Sequence, residues 1–194
     1  MKIIHLILVI ILLAILIYFF YKFFKTNSTC VKSNLNNKEY LVQNLDDKKN
    51  ASYVLSIIHY RIFLLCDYLQ KNINNFPEYK SYIERLLKKI NKIVLVENAP
   101  DNNNTSYTIN KGDEIVLCMR SKKTWKLHDL NILMYVVLHE LAHVACPEID
   151  HTELFKKIFI FLLKVSNKID IYEIINYEID PHEYCGLIIN ETLV

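Results

Sequence analysis

Apolar residues recur along this chain with two different periods. Between residues 51 and 73, Leu55, Ile58, Ile62, Leu65 and Leu69 return every three or four positions with polar and charged side chains between them, which predicts a helix with one face in a core. Phe76-Pro77 interrupts it, and Tyr82, Leu86, Leu87 and Ile90 mark the apolar side of a second helix, with Lys88-Lys89 on its solvated face. The pattern then shortens. Ile93 to Val96 predicts a strand stopped by Asn98-Ala99-Pro100. Tyr107 to Ile109 and Ile115 to Met119 flank Asn110-Lys111-Gly112-Asp113 as a hairpin, where glycine can take the positive φ of a tight turn. Ile132 to Leu138 is an almost unbroken apolar run behind Asp129, a good N-cap, and predicts a buried helix. Leu154, Phe155, Ile158, Phe159, Leu162 and Leu163 form the inner side of another, whose Lys156, Lys157 and Lys164 point outward. Ile171 to Tyr177 is short and mixed, and Pro181 to Gly186 reads as a turn feeding a last extended piece.

The N-terminal region has a different texture. Ile3 to Tyr21 is apolar apart from His5, and Phe23-Phe24 extend the run beyond Lys22, giving about the 20 residues that a membrane-crossing helix needs. Tyr18-Phe19-Phe20-Tyr21 resembles an interfacial aromatic belt, favouring a retained anchor over a cleaved signal peptide. Lys22, Lys25 and Lys32 follow the segment, which places the remainder on the cytosolic side by the positive-inside rule. Thr26 to Lys49 is polar and aperiodic and reads as a flexible stalk. The expected division is therefore a transmembrane anchor over 1–25, a stalk over 26–50 and one domain over 51–194.

Charge narrows the function classes. With 23 Lys and Arg against 21 Asp and Glu, the net charge is +2 and the two signs are interspersed, so the basic face that nucleic-acid binding requires is absent. Five scattered cysteines, Cys30, Cys66, Cys118, Cys146 and Cys185, do not suggest a disulfide framework and fit a reducing compartment. Cys146 and Cys185 lie where either could approach a metal, although buried free thiols are the simpler reading.

The candidate chemistry lies in His139-Glu140-Leu141-Ala142-His143. Two imidazoles four residues apart on a helix can grip one metal ion while the glutamate between them faces its water. Burying these three groups in an apolar helix is costly unless an ion satisfies them. His151 is the candidate third ligand. Pro147 should stop the helix and turn the chain back, and Asp150 and Glu153 have capping-box spacing that would hold His151 in the first turn of the next helix. Three protein ligands with an open fourth position describe catalytic zinc, and no paired Cys-x-x-Cys supports a closed structural site. On this reading one Zn2+ activates water, Glu140 is the general base, and amide hydrolysis is the reaction class.

His139 to His143, followed by His151-Thr-Glu-Leu-Phe155, resembles the zincin metallopeptidases of the WLM and SprT-like groups. Leu138 to Glu148 and Glu183 to Gly186 are similar to strings in small membrane-anchored members encoded by large DNA viruses. The resemblance covers roughly Tyr107 to the C-terminus. It implies an α+β zincin-like domain with a motif helix and a short mixed sheet with an edge hairpin, acting on peptide or protein substrates, on the cytosolic or virion-interior side. In such enzymes a strand like Ile115 to Met119 binds extended substrate, and a downstream Tyr or His hydrogen-bonds the oxyanion, which points to Tyr184 or His182. Seven residues separate His143 from His151, more than in metzincins, and Glu173 or Glu178 is the alternative third ligand. The competing function is a non-catalytic membrane-anchored structural or interaction module in which metal stabilises the fold.

Overall fold

The first amphipathic period forms a helix, α1, over Lys48–Lys71, which buries Leu55, Ile58, Ile62, Leu65 and Leu69. The second forms α2, Lys80–Ile90, joined to α1 through two short 3-10 turns around Phe76-Pro77. This computed structural model describes residues 10–18, 27–90, 92–100, 102 and 104–191.

Five strands make the main sheet: β1 (Ser28–Lys32), β2 (Glu39–Gln43), β3 (Val94–Glu97), β4 (Tyr107–Ile109) and β5 (Glu114–Leu117). Their spatial order is β1-β2-β3-β5-β4. The sheet is mixed, with β2, β3 and β5 parallel and antiparallel partners at both edges. The parallel β2 to β3 step needs a long crossover, which α1 and α2 provide. The motif helix α3, Leu130–Ala145, packs on α2 and on β4 and β5, and α4, Glu153–Lys168, packs on α3. A small two-stranded sheet, β6 (His182–Tyr184) and β7 (Leu187–Ile189), ends the described chain. The α+β class, mixed sheet and edge hairpin agree with the sequence reading, and 171–177 contains no strand.

Two expectations fail here. The segment expected to be a stalk instead contributes β1 and β2 to the sheet. Tyr40 and Val42 face the core while Leu41 faces out, a period-two alternation confined to a five-residue strand among polar neighbours. α1 fastens this hairpin: Ser52 Oγ donates to the Val31 carbonyl at 2.9 Å, and Ser33 Oγ lies 2.8 Å from Ser56 Oγ. The single-pass membrane placement is also overturned. No helix among the described residues is long and apolar enough to cross a membrane. Residues 10–18 are helical. The rest of the anchor expected over 1–25 lies outside the described residues, and the side-of-membrane assignment falls with the single-pass placement.

An ion network centred on buried Arg120 and Glu97 joins the sheet to α1. Arg120, just past β5, donates through Nε to Glu97 on β3 at 2.7 Å, and its two terminal nitrogens reach Asp47, at the N-cap of α1, at 2.7 and 2.8 Å. Glu97 also accepts from the Gln43 amide at 2.7 Å, so its carboxylate is paired on both oxygens. Removing one member of such a set strands a buried charge.

Candidate metal centre

The motif helix starts where the sequence places it, with Asp129 accepting from the Asn131 amide at 2.7 Å. Its i, i+4 spacing puts His139 and His143 on one face. Pro147 ends the helix, Asp150 takes a left-handed φ of 67°, and the loop returns His151 to the same point. The cap of α4 differs from the expectation. Thr152, not Asp150, accepts from the Phe155 amide, so His151 sits just before the helix rather than in its first turn.

The three Nε2 atoms form a triangle with sides of 3.0, 3.2 and 3.3 Å. A ring nitrogen is either donor or acceptor, so protons cannot satisfy all three sides of a triangle at once. A central cation satisfies all three. Tetrahedral zinc with Zn–N of about 2.0–2.1 Å sets its ligand nitrogens roughly 3.3 Å apart, close to the spacing present. Burial, reinforced by the neighbouring imidazoles, pushes His139 down to about 3; burial, then His151 and Lys111, pushes His143 down to about 4. Both are therefore neutral near pH 7, as metal ligands must be. The triad could thus hold a metal ion, and neither Glu173 nor Glu178 joins it.

One ring buttresses all three ligands. Phe155, nearly fully buried on α4, stacks on His143 at 4.2 Å and meets His139 and His151 edge-on at 5.0 and 4.9 Å. Glu140 is 4% exposed and accepts from Thr108 Oγ1 of β4 at 2.5 Å. Burial raises its pKa against the opposing pull of that hydrogen bond, a direction that favours accepting a proton.

The triad and Glu140 line a cleft of about 900 Å³ between β4, the loop before α4 and the residues from Leu187 to Glu191. Tyr184 also lines it, with its hydroxyl 2.5 Å from Ser106 Oγ. Ser106 Oγ in turn accepts from the Cys118 amide at 2.9 Å, and burial holds the Tyr184 phenol protonated. His182 stands apart, bonded to the Asp180 carbonyl at 2.9 Å. His59 belongs to another surface, 3.2 Å from Tyr40 Oη and 3.3 Å from Lys38 Nζ.

The structure also redraws two sequence assignments. β5 lies between β3 and β4 with both edges paired, so the free edge beside the motif helix is that of β4. Cys118 and Cys185 form a disulfide across 67 positions, which corrects the expectation of unpaired thiols and removes Cys185 as a metal ligand. Neither spacing nor count reveals that pair, since only the fold brings the two Cα atoms within 6.0 Å. Cys146 is buried and unpaired and takes no part in the triad. Thr108, Ser106 and Lys111 escaped the sequence reading. For Thr108 the sequence offers only a polar residue inside a predicted strand, and its meeting with Glu140, 32 positions away, is set by the fold.

No family model matches the chain. The uncharacterized protein R325 of Acanthamoeba polyphaga mimivirus is 59% identical over 170 residues, covering 88% of this chain and 86% of that protein. The uncharacterized protein 136R of Invertebrate iridescent virus 6 is 27% identical over 160 residues, covering 79% and 84%. The crystal structure of Wss1 from Saccharomyces cerevisiae aligns with a TM-score of 0.49 at 22% identity, over 66% of this chain and 87% of that one. From its identity and coverage with the mimivirus protein, this chain belongs to that family of viral proteins.

Proposed function

We propose that this protein is a zinc-dependent peptidase acting on peptide or protein substrates. The observation that carries the reading is the triangle of three imidazole nitrogens in a cleft that a buried carboxylate also lines. His139, His143 and His151, which line the cleft, would hold the ion. Bound there, zinc would supply an acidified water and polarise the peptide carbonyl.

The chain's own groups supply the remainder. Glu140 takes the proton of the attacking water and passes it to the leaving nitrogen, and its raised pKa matches both duties. Thr108 holds the carboxylate in place from the strand alongside. The unpaired edge of β4 offers backbone donors and acceptors to an extended peptide, and its residues line the cleft. Tyr184 is a neutral donor on the facing wall, suited to the oxyanion that develops on the attacked carbonyl.

Glu140→Gln is the deciding variant. Zinc content by atomic emission and turnover of unfolded casein are measured on the same preparations. Retained stoichiometric zinc with hydrolysis lowered about 100- to 10,000-fold is expected. Hydrolysis unchanged by the substitution overturns the base assignment. Zinc bound by a wild type that cleaves nothing favours the non-catalytic module instead.

A further inference from the structure

The loop that delivers His151 has little backbone structure of its own. Cys146 is the extended C-cap of α3, Pro147 has no N–H, and among the described residues 147–151 make no backbone-to-backbone hydrogen bond. A ligand on such a loop, exposed as His151 is, is well placed only if something else holds the backbone.

That hold comes from the β4–β5 turn. Lys111 Nζ lies 3.3 Å from the Cys146 carbonyl oxygen and 3.0 Å from those of Pro147 and Glu148. An ammonium has three donors, and these are three consecutive carbonyls beyond the end of a helix, where no intrahelical N–H reaches them. The charge also complements the negative end of the α3 dipole.

The turn is built to reach this position. Asn110, Lys111 and Gly112 have φ of 49°, 52° and 107°, and a Cβ on Gly112 would come within 2.9 Å of Val144 Cγ1 on the last turn of α3. Lys89 of α2 ties the turn from behind through Asp113 at 2.9 Å, and Arg85 donates to the Val144 carbonyl at 3.2 Å. The turn is thus pressed against the helix end, and a non-glycine residue is kept left-handed where its side chain points over the loop.

We propose that Lys111 is a positioning residue for the metal site, clamping the backbone of 146–148 so that His151 meets His139 and His143. This rests on reading the triad as a metal centre. It also ties the substrate-side turn to the ligand loop, since Lys111 follows the edge strand β4 by two residues. Electrostatics alone predicts the opposite sign. A cation beside a dication weakens binding, so removing it would tighten zinc if clamping contributed nothing.

The test measures zinc affinity of the full chain by competition with a chromophoric chelator, for wild type, Lys111→Met, Lys111→Arg and His143→Ala. Amide hydrogen exchange is followed in the zinc-free proteins. K111M should bind zinc about 10- to 100-fold more weakly, the range seen when a ligand's support is removed. K111R, which can still donate to several carbonyls, should stay within about threefold of wild type. Exchange at Ile149 to His151 should quicken in K111M while the α3 amides stay protected, a result that also shows the variant folded. Unchanged or tighter zinc in K111M, with H143A abolishing binding, overturns the role of Lys111 alone. A wild type that binds no zinc sinks the metal reading, and the exchange comparison then still decides whether Lys111 orders the loop.

Discussion

One wall of the cleft brings His139 and His151 together across 12 positions of chain, while the other brings Tyr184 to Ser106 across 78. On the first wall a helix, a proline stop and a short loop do the work, and Phe155 on the next helix locks the imidazoles. On the second, β6 is a three-residue strand in a sheet of two, too small to be stable alone. It is held by the Cys118–Cys185 disulfide and by the Cys185 amide donating to His128 Nε2 at 3.1 Å, with the Tyr184 ring lying 5.0 Å from that imidazole. Local geometry therefore gathers the ligands, with Lys111 steadying the loop of the third from across the fold, and crosslinks through the fold assemble the facing donor. The two walls should fail separately.

The sharpest way to break this contrast is to cut the crosslink. Replacing Cys118 and Cys185 by serine should lower stability by up to about 4 kcal/mol, the loop-closure entropy for a separation of this length. Urea unfolding of the two forms measures it, and zinc affinity should change less than about threefold. A parallel collapse of zinc affinity would show that the ligand wall depends on the hairpin.

Tyr184→Phe sharpens the comparison from the other side. It removes one hydroxyl from the second wall, so turnover should fall about a hundredfold, or about 2.7 kcal/mol of barrier, at unchanged zinc content. Equal kcat in the two proteins would leave Tyr184 only its packing role.

A third effect belongs to the first wall alone. In the zinc-free chain His139 and His143 are held well below their ordinary 6.5, so as pH falls the unfolded chain takes up protons before the folded one. These two groups cost no stability above about pH 6.5 and increasingly destabilise the fold as pH drops towards about 4 for His143 and about 3 for His139. The thermal midpoint of the zinc-free protein should fall across that window, and His139→Phe should flatten the slope. A flat wild-type profile would mean that the imidazoles are not buried as neutral groups.

The difference between the walls also explains what could be read without coordinates. The helical periods of α1 to α4, the Asp129 cap, the turn at Gly112 and the pairing of His139 with His143 all follow from contacts within a few residues, where spacing dictates which side chains share a face. His151 was nameable for the same reason, since Pro147 leaves the chain little choice but to turn. The β1–β2 hairpin was not legible, because its two five-residue strands carry only a brief alternation and gain their burial from α1. Nor was the exchange of β5 for β4 as the free edge, which depends on strand order. The disulfide, the Ser106–Tyr184 bond and the Lys111 clamp span 35 or more positions, and chain spacing carries no information about such meetings. Periodicity and motif thus specify a helix able to grip a metal. The opposing wall, and the tie that steadies the third ligand, exist only once packing brings distant segments into contact.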